Sequence, residues 1–92
     1  MSREQLRIFY SGRVQGVGFR YAIKSLAPGF EVAGTVRNLP DGRVELVAEG
    51  ERAELAALQQ AIRDSGLGGL IRQEDESWSV ATNGLRGFEI VR

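Results

Sequence analysis

The sequence contains no cysteine and no histidine. Without thiols there can be no disulfide and no thiolate nucleophile. Without imidazole there is no side chain whose ordinary pKa lies near neutrality and no common nitrogen ligand for zinc or iron. Neither sign of charge is in excess, because twelve Lys and Arg are matched by twelve Asp and Glu. No surplus is left to neutralise the phosphates of a nucleic acid or an anionic membrane surface. No apolar run approaches the roughly 20 residues of a membrane span, and the opening MSREQLRIFYSG is interrupted by Arg3, Glu4 and Arg7 before a signal-peptide core could form. No repeat, linker or low-complexity segment is present. These absences predict a cytoplasmic monomer with no nucleic-acid or membrane partner. They leave its chemistry to Arg, Lys, Asn, Gln, hydroxyls, carboxylates and backbone N–H groups.

What is there suffices for one small core. Ninety-two residues, 42% of them hydrophobic, predict a single domain over residues 1–92, since so short a chain cannot enclose two separate interiors. Leu6, Ile8 and Tyr10 alternate with Arg7, Phe9 and Ser11, which is the period of a strand. From Phe19 the spacing changes to Phe19, Ala22, Ile23 and Leu26, the stripe of an amphipathic helix, and Pro28 and Gly29 end it. Phe30, Val32, Gly34 and Val36 define a second strand that reaches Asn38. After the turn residues Leu39-Pro40-Asp41-Gly42, Val44, Leu46 and Ala48 alternate with Arg43, Glu45, Val47 and Glu49 in a third.

Glu51 and Glu54 fall in the first turn of a second helix, where carboxylates favour the dipole, and Leu55, Leu58 and Ile62 form its apolar stripe up to Gly66. Residues 67–76 read as the start of a further strand, residues 77–84 fit no element clearly, and residues 87–92 read as a closing strand. The order βαββαβ, with a possible short fifth strand, predicts an α+β, ferredoxin-like split βαβ sandwich: an antiparallel sheet with two helices on one face.

The segment GRVQGVGFR at 12–20 joins the first strand to the first helix. Glycines there allow successive backbone N–H groups to line a concavity at a helix N-terminus, where free donors and the dipole attract an anion. Arg20 at its exit adds a planar cation able to contact two oxygens of one phosphoryl group. The spacing fits neither the GxxxxGK[ST] nucleotide loop nor GxGxxG.

GRVQGVGFR at 12–20, followed by VRNLPDGRVELVAEG at 36–50, resembles the acylphosphatase family. That family's signature is a glycine, any residue, Val-Gln-Gly-Val, any residue, an aromatic and an arginine. It falls here on Gly12, Val14, Gln15, Gly16, Val17, Phe19 and Arg20, and the family's asparagine falls on Asn38, eighteen residues beyond Arg20. The stretch 68–86 matches poorly. Pro28 shortens the first helix, and Thr35 stands where a bulky aromatic is common, but neither change removes a carried-over residue.

The resemblance implies a ferredoxin-like fold and hydrolysis of acyl phosphates to a carboxylate and inorganic phosphate, with no metal or cofactor. It implies catalytic roles for Arg20 and Asn38, the latter orienting water. It also implies a phosphate site formed by Gln15, Gly16, Val17, Gly18, Phe19 and Arg20. The Gln15 side chain is expected to bond within the loop and the Phe19 ring to join the core, so both serve the phosphate through their backbone. Lys24 and the acidic run Glu74-Asp75-Glu76 read as solvated charges, not as ligands. A second reading keeps the frame and the anion site without catalysis, as a binding or regulatory module.

Overall fold

The computed structural model describes residues 3–92. Strand β1 (Glu4–Gly12) leads through a loop into helix α1 (Phe19–Leu26), which a 3-10 turn at Ala27–Gly29 extends. Strands β2 (Val32–Asn38) and β3 (Val44–Gly50) form a hairpin, followed by helix α2 (Arg52–Asp64), a second 3-10 turn at Gly68–Leu70, then β4 (Ile71–Val80) and β5 (Phe88–Ile90). The five strands form one sheet in the order β4-β1-β3-β2-β5. Every neighbouring pair is antiparallel except β2 and β5, which run parallel. The ferredoxin-like frame is as expected, and the fifth strand is present. The sheet's one parallel pair is at the edge where β5 joins β2, in keeping with a mostly antiparallel sheet.

The apolar periods act as the sequence suggests. Leu6, Ile8 and Tyr10 from β1, Val36 from β2, and Val44, Leu46 and Ala48 from β3 join Phe19 and Ile23 of α1 and Leu55, Leu58 and Ile62 of α2 in one buried cluster. Both helices therefore cover the same face of the sheet. Helix α2 stops two residues before Gly66, at a cap where the Ser65 hydroxyl donates to the Ile62 carbonyl at 2.7 Å, and Glu51 is its N-cap rather than part of its first turn.

Residues 67–76 depart from the expectation. Gly68–Leu70 is a 3-10 turn, and the strand that follows runs ten residues through Val80. Its edge position explains the missing apolar period. By register Glu74 lies opposite Tyr10 and Glu76 opposite Ile8, which aims both carboxylates at α2. There Gln59 donates to each at 2.9 Å, and Arg63 pairs with Glu74 at 2.9 Å. Two members of the acidic run are thus bound to the neighbouring helix instead of solvated.

From the end of β4 the chain must cross the sheet to reach β5 on the opposite edge, four strand spacings or about 19 Å away. Residues 81–87 make this crossing over the face without helices. Glu49 anchors it there: its carboxylate is fully buried and accepts from Thr82 N (2.7 Å), Thr82 Oγ1 (2.9 Å), Asn83 N (2.9 Å) and Gln5 Nε2 (2.8 Å). Burial pushes the Glu49 carboxyl up, yet the bonds from Thr82, Gln5 and Asn83 outweigh it and hold the group below its usual range.

A carboxyl with its folded pKa below the unfolded value contributes stability above the unfolded pKa and loses it as pH falls through the folded one. Glu49→Gln is therefore expected to lower Tm by several degrees at pH 7, with the gap to wild type closing below about pH 4. Calorimetry across that pH range checks it. A constant gap would show that the bonds stabilise nothing as bonds to a charge.

Candidate functional site

At the far end of β1 from that crossing, Gly12 leaves the sheet with φ +127. A β-carbon there would fall on the Leu70 carbonyl oxygen and lie 2.8 Å from the Arg72 amide. Only glycine lets β4 approach so closely, and Arg13 N fixes the approach by donating to Leu70 O at 3.0 Å. Gly12→Ala is expected to combine strain with the collision and cost roughly 2–4 kcal/mol, lowering Tm by about 10 °C or more. Thermal unfolding tests this, and an unchanged Tm would refute the close packing.

Beyond Gly12 the loop is held by its side chains. Val14 and Phe19 are 1% exposed and sit in the core, Val17 packs against it, and the Phe19 ring meets Tyr10 edge-on at 5.1 Å. Burial, with Glu74 adding to it, pushes the Tyr10 phenol well above its ordinary range, and its hydroxyl finds no partner among the described residues. Gln15 reaches across to the β2–β3 turn and donates to Leu39 O at 2.8 Å and Arg43 O at 2.9 Å. That side chain ties the loop to the strand end carrying Asn38, as its expected bonding role required, but through partners 24 and 28 residues away.

With the side chains turned to the protein, the backbone is left free. Among the described residues none of the amides of residues 14–21 donates a hydrogen bond. Gly16 and Gly18 have φ of 76 and 82, while every other residue from 15 to 19 has negative φ. Alternating hands of this kind turn successive N–H groups toward one side, the geometry of an anion nest. Gly18 is also the N-cap of α1, with no side chain capping it, so the free donors of the helix start join those of the loop.

Arg20 is the second residue of α1 and half-buried. It enters no ion pair and no hydrogen bond among the described residues. Asn38 closes β2 on the helix-covered face, two residues beyond the buried Val36 and opposite Val44, which in turn lies opposite Tyr10. Its Oδ1 is buried and has no hydrogen-bond partner among the described residues. A buried amide oxygen left without any donor costs on the order of 1–3 kcal/mol.

The fold thus brings the loop, Arg20 and Asn38 to one end of the sheet, with Gln15 as the tie between them. Lys24 lies exposed on α1, as expected. A groove of about 380 Å³ between Arg3, Glu4, Arg52, Trp78, Ser79 and Val80 lies at the other end of the strands. Its charges are already satisfied: Arg52 binds Glu4 through two bonds of 2.9 Å and covers the Trp78 ring at 4.0 Å. Among the described residues no three acidic side chains cluster to hold a metal, and no helix is long and apolar enough to cross a membrane.

Residues 6–90 match the family model described as Acylphosphatase. A protein of Acidothermus cellulolyticus named acylphosphatase is 43% identical over 90 residues, covering 92% of this chain and 86% of its own length. One from a Roseiflexus species with the same name is 38% identical and covers 99% of this chain and 98% of its own. The crystal structure of acylphosphatase from Bacillus subtilis superposes with a TM-score of 0.88 at 37% identity, covering 97% of this chain and 99% of that one. Motif, sheet order and similarity over nearly the whole length agree, and the chain belongs to the acylphosphatase family.

Proposed function

We propose that this protein hydrolyses the carboxyl–phosphate bond of small acyl phosphates, with the phosphoryl group held by residues 12–20 and the attacking water held by Asn38. The observation that carries the reading is the run of free amides at 14–21, with Arg20 in the first turn of α1 in no ion pair among the described residues. The backbone amides of Gln15, Gly16, Val17, Gly18, Phe19 and Arg20 donate to the phosphoryl oxygens, and the Arg20 fork takes two of them.

Phosphoryl transfer passes through a loose transition state whose charge spreads over the equatorial oxygens, so positioning and fixed dipoles supply most of the catalysis. Asn38 Oδ1 accepts from the water and aims its lone pair at phosphorus, in line with the leaving oxygen. As the new P–O bond forms, the P–O bond to the acyl group breaks and its electron pair leaves on a carboxylate. An acyl phosphate dianion and water become a carboxylate and dihydrogen phosphate, the water's protons remaining with the phosphate. The departing carboxylic acid has a pKa near ~4, so no general acid is needed and the lack of histidine is no obstacle.

Balanced charge supports a small-molecule substrate over a nucleic acid or an anionic membrane surface, and we extend the reading to a cytoplasmic monomer that needs no metal. Benzoyl phosphate hydrolysis followed at 25 °C tests the reading. Turnover unchanged by a chelator and competitively inhibited by inorganic phosphate is expected. Phosphate binding without turnover would instead establish the non-catalytic module.

A further inference from the structure

The site's two flanks differ in charge, and the difference bears on which acyl group fits. In the sheet order β4-β1-β3-β2-β5, Asn38 lies on one side of β1 and β4 on the other. Gln15 binds the loop to the Asn38 side, and Arg13 N binds it to the β4 side through Leu70 O. In-line displacement puts the leaving group opposite the water. With water on Asn38, the acyl group points toward the start of β4.

Two cations without counterions stand there. Arg72 is the residue skipped where the β1/β4 register shifts, Ser11 pairing with Gln73 and Gly12 with Ile71. Its side-chain stem lies over Gly12, with Cγ 3.3 Å from where a β-carbon would stand. Arg13 follows Gly12 directly. Both are exposed, and neither enters an ion pair or side-chain hydrogen bond among the described residues. By contrast Arg3, Arg7, Arg37, Arg43, Arg52 and Arg63 are each tied to a carboxylate or an amide oxygen. Two like charges left unpaired on the flank where β4 closes over Gly12 make a ready site for a second anion.

Resting on the reading above, we propose that Arg72, with Arg13 beside it, sets a preference for acyl phosphates whose acyl part carries a second negative charge. The extra carboxylate or phosphate sits against the Arg72 guanidinium while the scissile phosphoryl group occupies the nest. Arg72 touches only the far end of the substrate, so it governs which substrate is chosen and not the chemical step.

Benzoyl phosphate and 4-carboxybenzoyl phosphate test this, because the second differs by one rigidly held charge and has a leaving group of nearly the same acidity. At low ionic strength wild type is expected to favour the carboxylated substrate in kcat/KM by roughly three- to tenfold, mostly through KM. Added salt should shrink the ratio. Arg72→Gln should bring it close to one while benzoyl phosphate turnover changes little, and Arg72→Glu should push it below one. A wild-type ratio at or below one, or a ratio the same in wild type and both Arg72 variants, would overturn the preference. Turnover of benzoyl phosphate itself reports separately on the underlying hydrolysis.

Discussion

Arg20→Ala is expected to bring acyl phosphate turnover to background and to weaken phosphate binding by about 100-fold or more. The amides of residues 14–21 are dipoles that can orient a phosphoryl group, but a dianion drawn out of water also needs a full opposite charge. Arg20 is the cation that the start of α1 supplies, and no carboxylate pairs with it among the described residues. For the same reason the protein's stability does not depend on it, and Tm should shift by no more than a degree or two. Arg20→Lys separates charge from shape: it keeps the cation and loses the two-pronged contact, so partial phosphate binding with most of the rate lost is expected. Isothermal calorimetry with phosphate and a benzoyl phosphate assay distinguish these. Wild-type turnover in Arg20→Ala would remove the guanidinium from the mechanism.

The second large effect concerns Asn38 and has the opposite signature. Asn38→Ala should lower kcat by on the order of 100-fold while the inhibition constant for phosphate stays within about twofold. The residue orients a nucleophile and adds nothing to the electrostatic hold on the ground state. Its side chain makes no hydrogen bond to the rest of the protein among the described residues, so the alanine variant should be about as stable as wild type. Loss of activity together with a raised or unchanged Tm identifies a group retained for chemistry. A parallel loss of phosphate binding and stability would mean that Asn38 is only a strand-end residue.

Which elements can be read from the sequence follows from which of them bury a simple stripe. Leu6, Ile8 and Tyr10 alternate because β1 is an interior strand and one of its faces is covered by helices. Phe19 and Ile23, and Leu55, Leu58 and Ile62, keep helical spacing because α1 and α2 lie on that face. Strand β4 has no such stripe. It meets α2 through Glu74 and Glu76, whose partners Gln59 and Arg63 lie 11 to 17 residues away in sequence, and such pairing leaves no periodic signal. Glu49 alternates with core residues and so belongs by pattern to an exposed face, yet it is buried because residues 81–87 return over it.

The site divides in a similar way. The glycines, Arg20 and Asn38 are legible as types in a spacing, and the resemblance assigns them roles. The bonds from Gln15 to Leu39 O and Arg43 O, and the approach of β4 over Gly12, depend on contacts between distant segments and emerge only with the fold.

Amide chemical shifts during titration with inorganic phosphate test most directly whether residues 14–21 and Arg20 enclose a phosphoryl group. Saturable shifts centred on the amides of Gln15, Gly16, Val17, Gly18, Phe19 and Arg20, together with the Arg20 side-chain Nε–H and abolished in Arg20→Ala, are expected. Phosphate that left those amides unmoved, or moved a different surface, would contradict the assignment.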